Sequence, residues 1–460
     1  MPHDLVVHGG LLVSGQGIRR ADVAVTDGVV AEVAPSIDPA AARDAYDATG
    51  RYVLPGIIDA HNHPYYHDDI EAFSRAAAAG GVTTLVPFAG RQWHGGDPAQ
   101  GLVATVQEFL DRGRRTSCLD FSAHVIVSPG DDMVAAVPEL VAAGVASFKA
   151  FTAFPGARML DDGQILALME QLAGLGALCM VHCENGHAIG HLEQRLRAAG
   201  RVGVADYAGS RPAQLEAEVV YRVLSLAEVA GCDAYIVHVS AARSVEVLRQ
   251  LRDRPGPRRY AETCPHYLFL TEQDQRRLGG PAKISPPIRT EADRQALWQA
   301  VRDGVIDVVA SDASGQTLAG KQPGQTNFFD VPFGLPGVEQ MFPLVADGAL
   351  NQYGMGLTML AKVFCENPAD IFGLAHRKGR LGPGLDGDLL VYDPFPSWTV
   401  DARDQHGNSD YSVYAGRQVL GRPVLTVQRG RVVLRDGTVV ARPGDGQFLA
   451  ATTRSPGGAP

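Results

Sequence analysis

Leu54-Pro55-Gly56-Ile57-Ile58-Asp59-Ala60-His61-Asn62-His63-Pro64 is a short apolar run that stops on ionisable residues. Such runs read as buried strands, and this one ends in two histidines one residue apart. In extended backbone those two side chains point to the same side. No Gly-x-Gly-x-x-Gly follows the run, so a dinucleotide-binding sheet loses its main support. Including this first run, which begins near Val53, eight candidate strands are legible; the others begin near Thr83, Leu119, Ser147, Leu178, Tyr235, Tyr260 and Asp307. Helical patterns such as Glu216 to Ala230 and Ser244 to Leu251 lie between them. Most spacings fit one strand–helix unit, with an insertion in the fifth unit and a longer seventh. Strands alternating with helices in this number predict an α/β protein built on a (β/α)8 TIM-like barrel, with an open doubly wound sheet as runner-up.

The flanks have another texture. Residues 1–52 alternate apolar and polar positions in short runs, with a hairpin signal at Asp27-Gly28. The same texture returns in residues 380–445, for example in Leu389-Leu390-Val391-Tyr392 and Asp436-Gly437-Thr438-Val439-Val440. The two ends therefore predict one small β-sandwich domain around a barrel of residues 53–379. Residues 446–460 form a C-terminal tail, and its Ser/Pro/Gly-rich end, Thr452 to Pro460, is expected to be disordered.

Composition bounds the function. The 460 residues are 45% hydrophobic and 20% charged, which excludes a disordered chain. The net charge of −10 argues against a nucleic-acid partner. No run approaches the ~20 apolar residues of a membrane span, and Met1-Pro2-His3-Asp4-Leu5 carries no signal-peptide pattern. The six cysteines (118, 179, 183, 232, 264 and 365) include no Cys-x-x-Cys pair, as expected of reduced, buried thiols in a cytoplasmic protein.

Barrel enzymes carry their chemistry at the C-terminal ends of strands, and here those ends are ionisable. The first ends in His61 and His63, the fifth in His182, the sixth in His238 and the eighth in Asp312. The fourth, Ser147-Phe148-Lys149-Ala150-Phe151, has a lysine inside an apolar run, although only five of the 41 basic residues are lysine. Each residue alone has an ordinary reading: a hydrogen-bonded core histidine, a snorkelling or paired lysine, a paired aspartate. The joint reading is a binuclear metal site in which Lys149, carboxylated by carbon dioxide, supplies an anionic two-oxygen bridge that arginine cannot. Imidazole and carboxylate ligands suit Zn2+ best, with Mn2+, Co2+ or Fe2+ possible. A purely structural metal site would favour cysteine, which is absent from this set.

Together with Val181-His182-Cys183-Glu184-Asn185-Gly186, Tyr235-Ile236-Val237-His238-Val239-Ser240, Glu262-Thr263-Cys264-Pro265-His266, Ser285-Pro286-Pro287-Ile288-Arg289 and Leu335-Pro336-Gly337-Val338-Glu339, these stretches resemble the amidohydrolase superfamily. Within it the chain looks like the cyclic amidases: hydantoinases, dihydropyrimidinases and allantoinases. The resemblance implies that His61, His63 and Asp312 hold one divalent ion and His182 and His238 the other. It implies that carboxylated Lys149 bridges them, with a bridging hydroxide as nucleophile and Asp312 as base. The substrate implied is a cyclic amide or imide of the hydantoin or dihydropyrimidine type, and the assembly a homodimer or homotetramer.

Three positions depart from the family pattern. Phe154 stands where a tyrosine usually donates to the developing oxyanion, so Tyr65, Tyr66 and His67 become candidates to replace it. Ala313 follows the strand-eight aspartate in place of histidine, and Pro332-Phe333-Gly334 replaces Pro-Asn-Gly. Phe154, Ser285 and Phe333 are thus the expected substrate-contacting positions. Glu262, Cys264 and His266 either line the site or pack behind it. Two alternatives remain open: an allantoinase, toward which Phe154 leans, and a non-enzymatic relative of the dihydropyrimidinases, which predicts eroded ligands.

Overall fold

Residues 3–91, 100–322 and 326–454 are described in the computed structural model. Its centre is a parallel barrel of β1 Ile57–Asn62, β2 Val82–Ala89, β3 in two pieces, Asp120–Phe121 and His124–Ile126, β4 Ser147–Phe151, β5 Leu178–His182, β6 Ala234–Ile236, β7 Arg259–Thr263 and β8 Val308–Val309. Neighbours pair in chain order from β1 to β8. Across the seam, Ser311 donates to the Asp59 carboxylate from its backbone N at 2.9 Å and its hydroxyl at 2.7 Å, and Asn62 bridges Ala313. The strands are buried on both faces, as parallel barrels require. The fifth-unit insertion is the helix pair Gly186–Ala198 and Val204–Ser210, ahead of Ala213–Ala230. The long seventh unit holds Pro265–Phe269 and Glu272–Leu278 before Glu291–Arg302.

Two sheets form the sandwich. One joins His3–His8, Asp22–Thr26, Val29–Ala34 and Ala42–Asp47; the other has seven strands, including Leu11–Ser14, Leu389–Thr399 and Gln418–Gln428. Leu5, Val23, Val53, Val391 and Val427 share the core between them. The Asp27-Gly28 turn has φ of 53° and 83°, the doubly positive pair that a two-residue hairpin needs.

Two expectations need correction. The run from Val53 is not one barrel strand. Tyr52–Pro55 pairs with Leu389–Thr399 and with Leu11–Ser14 in the seven-stranded sheet, and the barrel begins only at Ile57. Gly56 marks the break, where a Cβ would collide with the Thr83 side chain. Both sides of it are apolar because each faces a core, so hydropathy alone shows no boundary. The second correction concerns the tail. Phe448 packs on Phe121, Leu449 is buried, and backbone N–H groups of Ala451, Thr452 and Arg454 donate to Gly144, Gly373 and Gly176 at 2.8, 3.0 and 3.0 Å. The chain up to Arg454 thus laces across the barrel floor, satisfying loop carbonyls there; Ser455 to Pro460 lie outside the described residues.

At the junction of barrel and sandwich, the buried Lys378 ammonium meets Asp120, Asp386 and Asp388 at 2.6, 2.8 and 2.7 Å. Removing it strands buried carboxylates, so Lys378→Met is expected to cost about 3–5 kcal/mol of stability. Chemical denaturation measures this, and an unchanged midpoint would contradict it. The six cysteines are buried and unpaired. Among the described residues, no helix is long and apolar enough to cross a membrane.

Candidate active site

The C-terminal ends of the strands bring His61, His63, Lys149, His182, His238 and Asp312 to the wall of one cavity of about 350 Å3. His61 Nε2 and His63 Nε2 lie 3.1 and 3.2 Å from Asp312 Oδ1. His182 Nδ1 lies 2.9 Å from His238 Nε2. The outer nitrogens are tied from behind. His61 Nδ1 donates to Glu262 at 2.6 Å, His182 Nε2 donates to Glu184 at 2.9 Å, and His63 Nδ1 is bonded to the Tyr65 hydroxyl at 2.7 Å. Such partners fix ring orientation and tautomer, and they turn the inner nitrogens toward a common centre.

Backbone geometry contributes as well. Among the described residues, three of the six non-glycine positions with positive φ belong here: Phe154 at 64°, His238 at 40° and Asp312 at 44°. Strain of this kind costs roughly 1–3 kcal/mol per residue and persists where surrounding contacts impose it. Glu262 imposes it at His238, accepting from its backbone N at 3.1 Å.

The electrostatics suit a cation. Burial disfavours charge on His61, but Glu262 and Asp312 outweigh it and lift the imidazole to about 9. Burial pushes His63 down to about 4, and it lowers His182 and His238, leaving neutral imidazoles that can ligate. Asp312 is held well below the usual carboxylate range against its burial, chiefly by His61 and His63. Burial brings the Lys149 amine down to about 8, with Asp312 and Glu262 opposing. Its Nζ lies 4.8 and 5.1 Å from the ring centres of Phe88 and Phe151. The donor set of imidazoles, a carboxylate and a readily neutralised amine therefore fits divalent ions, and His61, His63 and Asp312 already lie within ligating distance of one point.

Phe154, Ser285 and Phe333 line the same cavity. The Ser285 hydroxyl is engaged: it donates to Glu184 at 2.6 Å and accepts from Arg211 at 2.9 Å. Arg211 also donates to Glu184 at 2.7 Å. Burial would raise the Glu184 carboxyl, but Arg211, His182 and Ser285 hold it well below its ordinary value. Of the three residues after β1, Tyr66 lines the cavity, Tyr65 backs His63, and the His67 backbone N donates to Gly315 O at 3.0 Å. Glu262 packs behind the site, and Cys264 and His266 lie close behind Asp312. The sequence reading missed Arg158, Ile284 and Ser314 among the lining residues. It also missed the Arg211–Glu184 pair. Glu184, two positions after His182 in extended chain, was the one available signal for that pair.

Comparison with known proteins places the chain in a family. A family model described as "Amidohydrolase family" matches residues 110–433. A D-hydantoinase of Ralstonia pickettii is 35% identical over 458 residues, covering 97% of this chain and 98% of its own. An L-hydantoinase of Paenarthrobacter aurescens is 33% identical over 455 residues, covering 97% and 98%. A solved D-hydantoinase structure superimposes with a TM-score of 0.92 at 34% identity, covering 98% of this chain and 99% of that one. A dihydropyrimidinase from Brevibacillus agri gives 0.92 at 28% identity, with the same coverage. On this match of sequence and architecture, the chain belongs to the amidohydrolase family and groups with its hydantoinase members.

Proposed function

We propose that the protein hydrolyses a ring C–N bond of a cyclic amide or imide of the hydantoin or dihydropyrimidine type. One observation carries the reading: four histidines, a lysine and an aspartate, from five different strand ends, line one cavity with their backing groups in place. In this reading His61, His63 and Asp312 hold one divalent ion and His182 and His238 a second, with Zn2+ best suited to the ligands. Lys149 serves both. Its neutral amine adds to carbon dioxide, forming an N–C bond and releasing a proton, to give an anionic carbamate. Held by these residues, such ions would acidify a water and polarise the amide carbonyl.

The remaining chemistry belongs to side chains. Asp312 takes the proton of the attacking water and returns it to the departing ring nitrogen. Glu262 and Glu184 keep His61 and His182 in their tautomers, and Arg211 keeps Glu184 ionised. Phe151, Phe154, Ile284 and Phe333 exclude water from the ring of the substrate. The intact ligand set separates this reading from a non-enzymatic relative.

The test is a panel of hydantoin, 5-substituted hydantoins, dihydrouracil, allantoin and dihydroorotate, given to metal-loaded protein with bicarbonate. Ring-opened product is expected. Silence across the panel with two metals bound would overturn the reading. Phe154 brings no hydroxyl to the oxyanion, so Phe154→Tyr is expected to raise kcat about tenfold or more, short of the full value of one oxyanion donor. Steady-state kinetics on the best panel substrate checks it, and an unchanged or lower kcat counts against an oxyanion at that position.

A further inference from the structure

We propose that Lys321 is a positioning residue for substrate binding: its ammonium ties the carbonyls on either side of Phe333 and so fixes the cavity wall against which the substrate ring packs. The proposal rests on the cyclic-amide reading above and deepens it by naming what sets the shape of one wall.

Pro332, Phe333 and Gly334 are consecutive and all line the cavity. They belong to no helix or strand, so no backbone ladder holds them. Gly334 has φ of 106°, where glycine is favoured, and a Cβ there would collide with the Ser314 side chain. An irregular segment in so demanding a conformation needs ties from outside. Lys321 supplies two of them, its Nζ donating to Pro332 O at 2.8 Å and to Gly334 O at 2.5 Å. A third, longer contact of 3.5 Å reaches Lys283 O, which also accepts from the Gly334 backbone N at 3.1 Å. Gln316 Nε2 takes the carbonyl between them, Phe333 O, at 3.2 Å.

The chemistry selects lysine. An ammonium has three donors and no acceptor, which matches a cluster of three carbonyls, whereas a guanidinium spreads its donors in one plane. Lys321 is buried. Burial and the neighbouring Lys283 charge bring its amine down to about 7, and among the described residues no carboxylate offsets them. The carbonyls it gathers account for a cation placed there against that cost. Its base is anchored too. Lys321 ends the short helix Leu318–Lys321, where Leu318 N donates to the Asp410 carboxylate at 2.8 Å and, just before the helix, Gln316 N donates to the Ser409 hydroxyl at 3.2 Å. The Phe333 ring thus sits among set neighbours, its centre 4.6 Å from Lys283 Nζ and 5.7 Å from the centre of the Phe154 ring.

The experiment compares wild type, Lys321→Met and Lys321→Arg, each loaded with zinc and bicarbonate. Kinetics on hydantoin and 5-benzylhydantoin give kcat and KM separately, and hydrogen exchange read by mass spectrometry follows the amides of residues 328–335. In Lys321→Met, KM is expected to rise about tenfold or more, the worth of a hydrogen bond to a charged group, with kcat within about threefold of wild type. Exchange in 328–335 should quicken by a similar factor while peptides of β4 and β5 keep their rates. Lys321→Arg, which keeps the charge and loses the tripod, should show a smaller rise in KM. Unchanged exchange, an unchanged KM, or a loss of kcat at constant KM in Lys321→Met overturns the positioning role and leaves the ring-opening reading standing. Absence of turnover in wild type with faster exchange in Lys321→Met removes the cyclic-amide reading and supports the hold on the wall. Absence of turnover with unchanged exchange overturns both. If circular dichroism shows Lys321→Met unfolded, Lys321→Arg carries the same comparison, with a rise in KM of about threefold expected and an unchanged KM overturning the role.

Discussion

Asp312→Asn is expected to lower kcat by roughly 10³-fold, within the range for removal of a positioned acid–base group, while the far-UV spectrum stays that of the parent. The substitution conserves shape and keeps an acceptor oxygen opposite His61 and His63, which Asp312 faces at 3.1 and 3.2 Å. It removes the charge and the proton-accepting site. The carboxylate is held ionised by its histidine neighbours despite full burial, so it is ready to take a proton from the attacking water. Retention of full activity in this variant would remove Asp312 from the role of base. A spectrum showing loss of fold would be followed by Asp312→Glu, whose longer carboxylate keeps the charge and is expected to restore measurable turnover.

Lys149→Met is the second substitution with a large expected effect. The side chain sits against Phe88 and Phe151 in the barrel interior, a setting that suits a flexible thioether of similar length. The fold is therefore expected to survive. Methionine cannot form a carbamate, so bound metal should fall well below the wild-type ratio and turnover by roughly 10³-fold or more, as the water loses its activation. Metal analysis and kinetics on the same preparation measure both. Wild-type protein stripped with a chelator should regain activity faster with zinc plus bicarbonate than with zinc alone. A full metal complement and normal turnover in Lys149→Met would contradict the bridging role.

Much of the barrel was legible because its strands are local events. A buried parallel strand must be apolar, so β4 and β5 stand out as Ser147–Phe151 and Leu178–His182. Ligands at strand ends follow from the same pattern, since a charge after an apolar run demands a partner. The scarcity of lysine was informative beyond Lys149. Four of the five lysines are buried. Lys283 donates to Phe329 O at 2.7 Å and Lys321 to Pro332 O at 2.8 Å, beneath the segment that carries Phe333. Each uses a compact ammonium where a guanidinium fork is larger.

What stayed illegible depends on contacts distant in sequence. Gly56 separates two strands only because residues 389–392 come to pair with Tyr52–Pro55. Arg158 and Ser314 reach the cavity through loops whose course is set by their surroundings. Residues 452–454 read as a loose end because their partners are distant in sequence: the Gly373 and Gly176 carbonyls for the Thr452 and Arg454 backbone, and Asp233 and Tyr260 for the Arg454 guanidinium.

That same pairing of Tyr52–Pro55 with Leu389–Thr399 sets a schedule for synthesis. The strands His3–His8 and Asp22–Thr26 leave the ribosome with Leu5, Val7, Val23 and Val25 facing a core whose other wall includes Leu389, Val391, Leu425 and Val427. At roughly 5–20 residues per second, that wall arrives on the order of tens of seconds later. Until then these strands present an uncovered apolar face, the kind of surface that chaperones hold and that aggregates when they do not. The barrel can begin to assemble during this interval, but the sandwich cannot close before residues 389–427 have been made.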